Sequence, residues 1–347
     1  MPLPPAQLHV VLPGLLWPAA SANEAVQGLR LPALGRLGAR GRALRRAALT
    51  LEQWLASAFG LGEVEPPCAA LRLLADGFSP GVHAWICADP VHLRLARDTV
   101  VIGTQDELDL SEDEARGLVA ALNSHFADVG EFVLQRPDRW ALRLPRLPRI
   151  TTHSLDFVRG RQMEPFLPKG EEARQWLRLL NEIQTLLHAD VINERRAAAG
   201  RATANSVWFW GAGVLPAAAR APARRIVSSH PVARGLARLA GVMAAAVPPA
   251  LQETEISAQD TLVLLEDLAG AAQNRDSSAW RQAQLRREQH WFAPALQVLK
   301  RGAIGSLRLT ALGDEGCVEW TVTRQDLWKK LWRRPLAPQK LAVAGAD

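Results

Sequence analysis

Asp89-Pro90-Val91-His92-Leu93-Arg94 places a carboxylate, an imidazole and a guanidinium on one turn. It follows an apolar run, His83 to Ala88, that reads as a strand. Loops after strands are where recognition and proton-transfer groups are usually mounted. Asn181, Gln184 and His188 are spaced three, four and seven apart, so on a helix they share one face. Asn123 and His125 close another helical stretch, and Arg139 opens a strand. In Asn205-Ser206-Val207-Trp208-Phe209-Trp210-Gly211-Ala212-Gly213, Trp208 and Trp210 point to one side of an extended strand. Gly211 and Gly213 allow a sharp turn or a close approach of backbone to a ligand. These groups predict one polar cleft lined by Asp89, His92, Asn181, Gln184, His188, Asn205 and Trp208. Each also has a plainer reading: histidines hydrogen-bonded in the interior or at a rim, amides tying down loops, and a buried aromatic strand with a tight exit. No H-x-x-x-H or H-E-x-x-H spacing supports a metal on His188 and Asp89.

The elements that must hold these residues alternate. Leu8 to Gly14, Arg225 to Ser229, Thr261 to Leu265 and Ser306 to Leu312 read as strands, with Val318 to Thr323 as one more. Helical spacing marks Arg45 to Phe59, Glu171 to Arg196, Val232 to Ala240 and Ser277 to Leu299. Strand–helix alternation implies a mostly parallel sheet covered on both faces. Between these runs, strands at Thr99 to Gly103, Glu131 to Leu134 and Trp140 to Leu144 surround a helix over Ser111 to Phe126. Ser111 and Glu114 form its capping box. That is a compact α+β unit.

The chain has 347 residues, a net charge of +6 and 48% hydrophobic residues, which suits one large α/β unit or two domains. The arginines are scattered, so a solvated basic surface is expected and nucleic acid is not. Only the run Trp328-Lys329-Lys330-Leu331-Trp332-Arg333-Arg334-Pro335 mixes aromatics with charge, as a basic tail docked by its tryptophans or a contact for lipid or nucleic acid. Three separate cysteines, in no C-x-x-C pair, argue against a disulfide framework or a zinc ribbon. With no apolar run long enough to span a bilayer and no cleavable leader, a cytoplasmic protein is expected.

The Asn205–Gly213 stretch resembles the Asn-x-x-Trp-x-Trp-Gly-x-Gly segment of the archaeal-type cofactor-independent phosphoglycerate mutases, of the alkaline phosphatase superfamily. It is similar above all to a bacterial branch, the RpfE-type regulatory proteins. The Ser111 helix and Arg238-Leu239-Ala240-Gly241 extend the likeness. The resemblance implies a three-layer α/β core of alkaline-phosphatase type over residues 1–79 and 201–347, with an inserted α+β subdomain at 80–200.

It also implies where a two-metal phosphoryl-transfer site belongs. The first strand should end in Asp-Gly and ends in Pro13-Gly14; Ser21 is the nucleophile candidate only by position. Asp267-Leu268-Ala269-Gly270-Ala271 and Asp314-Glu315 keep an aspartate each and replace the histidines. Asp267 and Asp314 are therefore vestigial metal ligands, sufficient for weak Mg²⁺ or Mn²⁺ with waters, and no other cofactor is expected. The expected function is a mutase relative without two-metal catalysis. It would act in regulation by binding an acidic or phosphorylated small molecule, or a protein, in a cleft between insert and core. The rivals are an active metal-dependent mutase or phosphatase and an Arg-rich nucleic-acid-associated protein.

Overall fold

The computed structural model describes residues 6–96, 99–251, 256, 259–329 and 332–343. In chain order its strands are β1 (Gln7–Pro13), β2 (Arg42–Arg46), β3 (Ala84–Val91), β4 (Leu93–Ala96), β5 (Thr99–Ile102), β6 (Glu131–Arg136), β7 (Arg139–Leu144), β8 (Ser206–Val214), β9 (Arg225–Val227), β10 (Ala244–Ala245), β11 (Thr261–Leu264), β12 (Ser306–Gly313) and β13 (Gly316–Thr323). They belong to two compact units, Met1–Glu63 with Ala219–Asp347, and Val64–Ala218.

The first unit is built on a seven-stranded sheet in the order β10-β9-β11-β1-β12-β13-β2. The first five strands are parallel, as strand–helix alternation dictates. The two-residue turn Asp314-Glu315 forces β13 back antiparallel to β12, and β2 pairs antiparallel beyond it. Leu8, Val10, Leu12, Leu307, Leu309, Val318 and Trp320 join Trp280, Phe292 and Leu296 in one buried cluster. The C-terminal helical run is continuous in direction but widens to a π turn at Glu288–Phe292, between Ser277–Arg287 and Ala293–Arg301. Pro294 has no N–H to give a regular turn, which accounts for the interruption. The widened turn also aims Glu288 at the start of the Pro32–Arg40 helix, where its carboxylate accepts from the Ala33 and Leu34 N–H groups.

The second unit carries a four-stranded antiparallel sheet, β6-β7-β3-β8, and the separate β4–β5 hairpin. Ile86, Ala88, Leu142 and Phe209 pack on Leu118, Leu122, Ile183 and Leu187 of the helices Glu112–His125 and Ala173–His188. The Ser111–Glu114 capping box forms as expected. The Cys68–Ala75 helix covers the other face of β3 and β8. Gly211 lies against it, at φ +61°, where a Cβ would fall 2.5 Å from Cys68 Cβ.

Four features differ from the sequence reading. Residues 45–59 are not one helix: Arg42–Arg46 is an exposed edge strand, and the helix Leu51–Ala58 starts at a Thr50–Gln53 capping box. The helix expected over 171–196 breaks at Ala189-Asp190, because the Asp190 side chain accepts from Ile192 N and starts a new helix, Val191–Ala198. The unit boundaries fall at 63/64 and 218/219 rather than 79/80 and 200/201, because the Cys68–Ala75 helix packs on β3 and β8 and β8 pairs with β3. Trp328 and Trp332 are 59% and 74% exposed, so these indoles do not dock the basic tail; Lys330 and Leu331 of that run lie outside the described residues. No helix among the described residues is long and apolar enough to cross a membrane.

Replacing Gly211 by Ala adds a clash with the Cys68–Ala75 helix to a left-handed backbone, so Gly211→Ala should lower stability by about 1–3 kcal/mol. Gly200→Ala has φ +69° but nothing within 4 Å of the new Cβ, and should cost less. Urea midpoints of the two variants against the parent check the order.

Candidate functional site

In open α/β sheets ligands are held outside the carboxyl ends of the strands. Here that edge is filled. β1 ends in Pro13, and Gly14 follows at φ +77°, where a Cβ would stand 2.7 Å from both the Leu268 carbonyl oxygen and Ala269 Cα. The Trp280 indole N–H donates to the Gly14 carbonyl at 2.7 Å, and Trp17 packs on Trp280 with ring centroids 5.2 Å apart. Leu15, Leu16 and Trp17 are all buried. Asp267 accepts from Arg287 at 2.7 Å, and Asp314 is exposed in the β12–β13 turn. Ser21 Oγ accepts from the Trp17 indole at 3.0 Å. Nearby, beyond β9 and β11, Ser228 Oγ accepts from His230 N, and His230 Nε2 lies 4.0 Å from Glu266. Sequence reasoning passed over these three. The signal for them was Ser228-Ser229-His230 directly after a strand, and a glutamate beside Asp267.

Among the described residues no group of three or more His, Cys, Asp or Glu side chains is arranged to hold a metal ion. The donors at this edge do not fit a two-metal centre. Pro13 and Gly14 offer no side-chain ligand, and Asp267 already faces a cation.

In the second unit the expected site residues act mainly as clamps. Asp89 is buried and receives four hydrogen bonds: Arg72 Nη1 and Nη2 at 2.7 Å each, Trp140 N at 3.1 Å and Trp210 Nε1 at 2.8 Å. Arg72 also donates to Cys87 Sγ at 3.3 Å, and its guanidinium lies over the Trp210 ring, 5.3 Å from the centroid. Burial works against the Arg72 charge, but Asp89, with Cys87 and Cys68, outweighs it and raises its pKa above the ordinary arginine value. Asn205 grips both the N–H and the carbonyl of Leu93, and Asn123 does the same to Phe132. Gln184 donates to Ser206, Trp208 to the His153 carbonyl, and Arg139 pairs with Asp76 at 3.4 Å. Gly213 sits where a Cβ would be 2.4 Å from Pro67 Cβ. His125, Asn181 and His188 are exposed, whereas Asp89, Trp208 and Trp210 are buried, so the set does not line one cleft. His92, bonded through Nδ1 to the Thr203 carbonyl, does line a pocket of ≈ 370 Å³ with Thr104, Arg136, Asp138 and Arg159. Arg159 Nε is buried there and makes no hydrogen bond among the described residues, but it lies 3.8 Å from Asp156 Oδ1 in a long ion pair. Arg72 was missed; its signal was a lone arginine inside the apolar run Cys68 to Leu74.

Short segments of the chain are similar to curated cofactor-independent phosphoglycerate mutases. A probable 2,3-bisphosphoglycerate-independent phosphoglycerate mutase of Geobacter sulfurreducens is 31% identical over 90 residues, 24% of this chain and 23% of the relative. The corresponding enzyme of Methanosarcina barkeri is 34% identical over 59 residues, 17% of this chain and 15% of the relative. The matched segments thus span less than a quarter of those relatives. No family model matches. Among solved structures, the PH0037 protein from Pyrococcus horikoshii superposes with a TM-score of 0.60 at 15% identity, covering 98% of this chain and 93% of that one. A cofactor-independent phosphoglycerate mutase from Thermoplasma acidophilum gives 0.49 at 17% identity, over 92% and 90%. The fold is mixed α/β with a mostly parallel central sheet, like that of the PH0037 protein, and the sequence similarity to the mutases is distant and confined to short segments.

A second polar region of the chain was also missed. Gln7 and His9 of β1, Arg308 and Thr310 of β12 and Glu319 of β13 share one face of the main sheet. The signal was polar residues at every second position of Gln7-Leu8-His9 and Ser306-Leu307-Arg308-Leu309-Thr310. Burial, with Arg308 adding, pushes the His9 pKa down to about 3.

Two outcomes are expected. Asp89→Ala leaves a buried guanidinium unpaired and should cost about 3–5 kcal/mol, while the double variant Arg72→Met, Asp89→Leu should cost less than the single one; denaturant unfolding of the three proteins checks this. The unfolded His9 takes up a proton below about pH 6.5 and the folded one only near pH 3, so its contribution to stability is complete above pH 6.5 and declines as pH falls toward 3. Replacing His9 by Gln should flatten the pH dependence of the unfolding midpoint in that window.

Proposed function

We propose that this chain is a mutase-like protein that does not carry out two-metal phosphoryl transfer and acts as a regulatory protein that binds an acidic small molecule. One observation carries the reading. The carboxyl edge of the sheet, where the ligands of such a centre belong, is occupied by Pro13, Gly14 and the packing of Leu268 and Trp280 on them. A bimetallic centre needs several Asp and His ligands converging on one point, and among the described residues no three His, Cys, Asp or Glu side chains do so. The resemblance to the RpfE-type regulatory proteins agrees with it. The ligand would sit in the His92 pocket, whose lining carries Arg136 and Arg159 beside Asp109 and Asp138. These arginines are held only by long ion pairs, Arg136 to Asp138 at 4.0 Å and Arg159 Nε to Asp156 at 3.8 Å, that a competing acidic ligand can displace.

The test is a thermal-unfolding scan of chelator-treated protein. Saturating Mn²⁺, Zn²⁺ or Mg²⁺ should leave the midpoint unmoved, and phosphoglycerate should not be isomerised. A phosphorylated metabolite should raise the midpoint, less so in Arg136→Gln. A rise of several degrees with one metal, together with mutase turnover, would overturn the reading.

A further inference from the structure

A strand covered on both faces normally reads as a continuous apolar run. β1, the middle strand of the seven, is apolar from Val10 onward but carries Gln7 and His9 on one face at its start, and these line a cleft of ≈ 220 Å³ under the Leu51–Ala58 helix. Trp54 stands edge-on to His9 there, ring centroids 5.5 Å apart. Such a departure from apolar patterning at a sheet centre destabilises the fold unless the groups are paired, and here the pairing is loose. Arg308 Nε to Glu319 is 3.6 Å, and Arg46 to Glu63 is 3.9 Å. The well-formed pairs elsewhere, Arg72–Asp89, Arg196–Glu114 and Arg287–Asp267, all close to 2.7 Å. Arg308 Nε is buried and makes no hydrogen bond among the described residues.

His9 Nε2 and the Thr310 hydroxyl share a hydrogen bond at 2.8 Å whose direction follows the imidazole tautomer, and the same hydroxyl lies 3.5 Å from Glu319. The cleft offers two guanidinium groups, from Arg46 and Arg308, the His9 imidazole and three carboxylates, from Glu63, Glu319 and Asp260, the last already accepting from Gln7 N at 2.8 Å. With charges of both signs and more acid than base, it disfavours a phosphate or any simple anion. Its volume is below the roughly 300–1,000 Å³ of sites for drug-sized ligands.

We propose that this cleft binds a free α-amino acid. Arg308 and Arg46 take the carboxylate, Glu319 and its neighbouring carboxylates take the ammonium group, and the side chain lies against Trp54. The site is distinct from the His92 pocket, and the inference does not rest on the loss of phosphoryl transfer.

The experiment is a thermal scan and calorimetric titration of the full chain with each of the common amino acids. One amino acid, or a chemically related subset, should raise the midpoint. On the unaltered protein, its N-acetyl and methyl-ester derivatives, each lacking one of the two charges, should bind at least tenfold more weakly. Arg308→Gln and Glu319→Gln should each weaken binding tenfold or more, whereas Arg116→Gln, at an exposed helix pair in the second unit, should not. No shift with any amino acid would overturn the proposal. So would derivatives that bind as well as the parent, or binding that survives both cleft substitutions.

Discussion

A buried charge is tolerated only when it is neutralised and its hydrogen-bonding capacity is filled. Asp89 meets that condition by drawing on three places at once: the Cys68–Ala75 helix through Arg72, β7 through the Trp140 amide, and β8 through the Trp210 indole. Helix and three strands are thereby held to one carboxylate. A shift of register in β3 by one residue would turn Asp89 to the opposite face, among Ile86 and Phe209. The pair therefore specifies the arrangement of the second unit more than it adds net stability.

The main sheet of the first unit shows the reverse economy. At the carboxyl edge the end of β1 is closely packed, with Leu268 and Ala269 against Gly14 and the Trp280 indole bonded to the Gly14 carbonyl. On the face under Leu51–Ala58, polar groups lie in a covered position, with His9 tightly bonded to Thr310 and the Arg308–Glu319 pair held at longer range.

Much of the scaffold was legible because its strands are apolar runs bounded by glycine and proline, as at Leu8–Gly14 and Thr261–Leu265. The edge strand Arg42–Arg46 was not, since its exposed arginines carry no period and its partner, β13, lies some 270 residues further along the chain. Asp89, Asn123 and Asn205 were read as ligand-binding candidates, a reading that assigns each of them a task. What local sequence does not reveal is that the task is to satisfy backbone or a buried arginine, because Arg72, Phe132 and Leu93 become neighbours only through strand pairing. His9 and Arg308 were hidden for a similar reason: each looks like an isolated polar residue in an apolar strand until the parallel register places them side by side.

The placement of β1 between β11 and β12, and the reach of Glu288 to the Ala33 and Leu34 amides, bear on biosynthesis. A chain emerging from the ribosome has the whole of residues 64–218 available before either neighbour of β1 has been made. The second unit is thus free to fold co-translationally, while the opening sixty residues wait, as an apolar strand and an uncapped helix, for the final hundred. A stalled or truncated translation product would combine a finished unit with a sticky, unpaired N-terminal segment, the kind of species that chaperones and proteases remove.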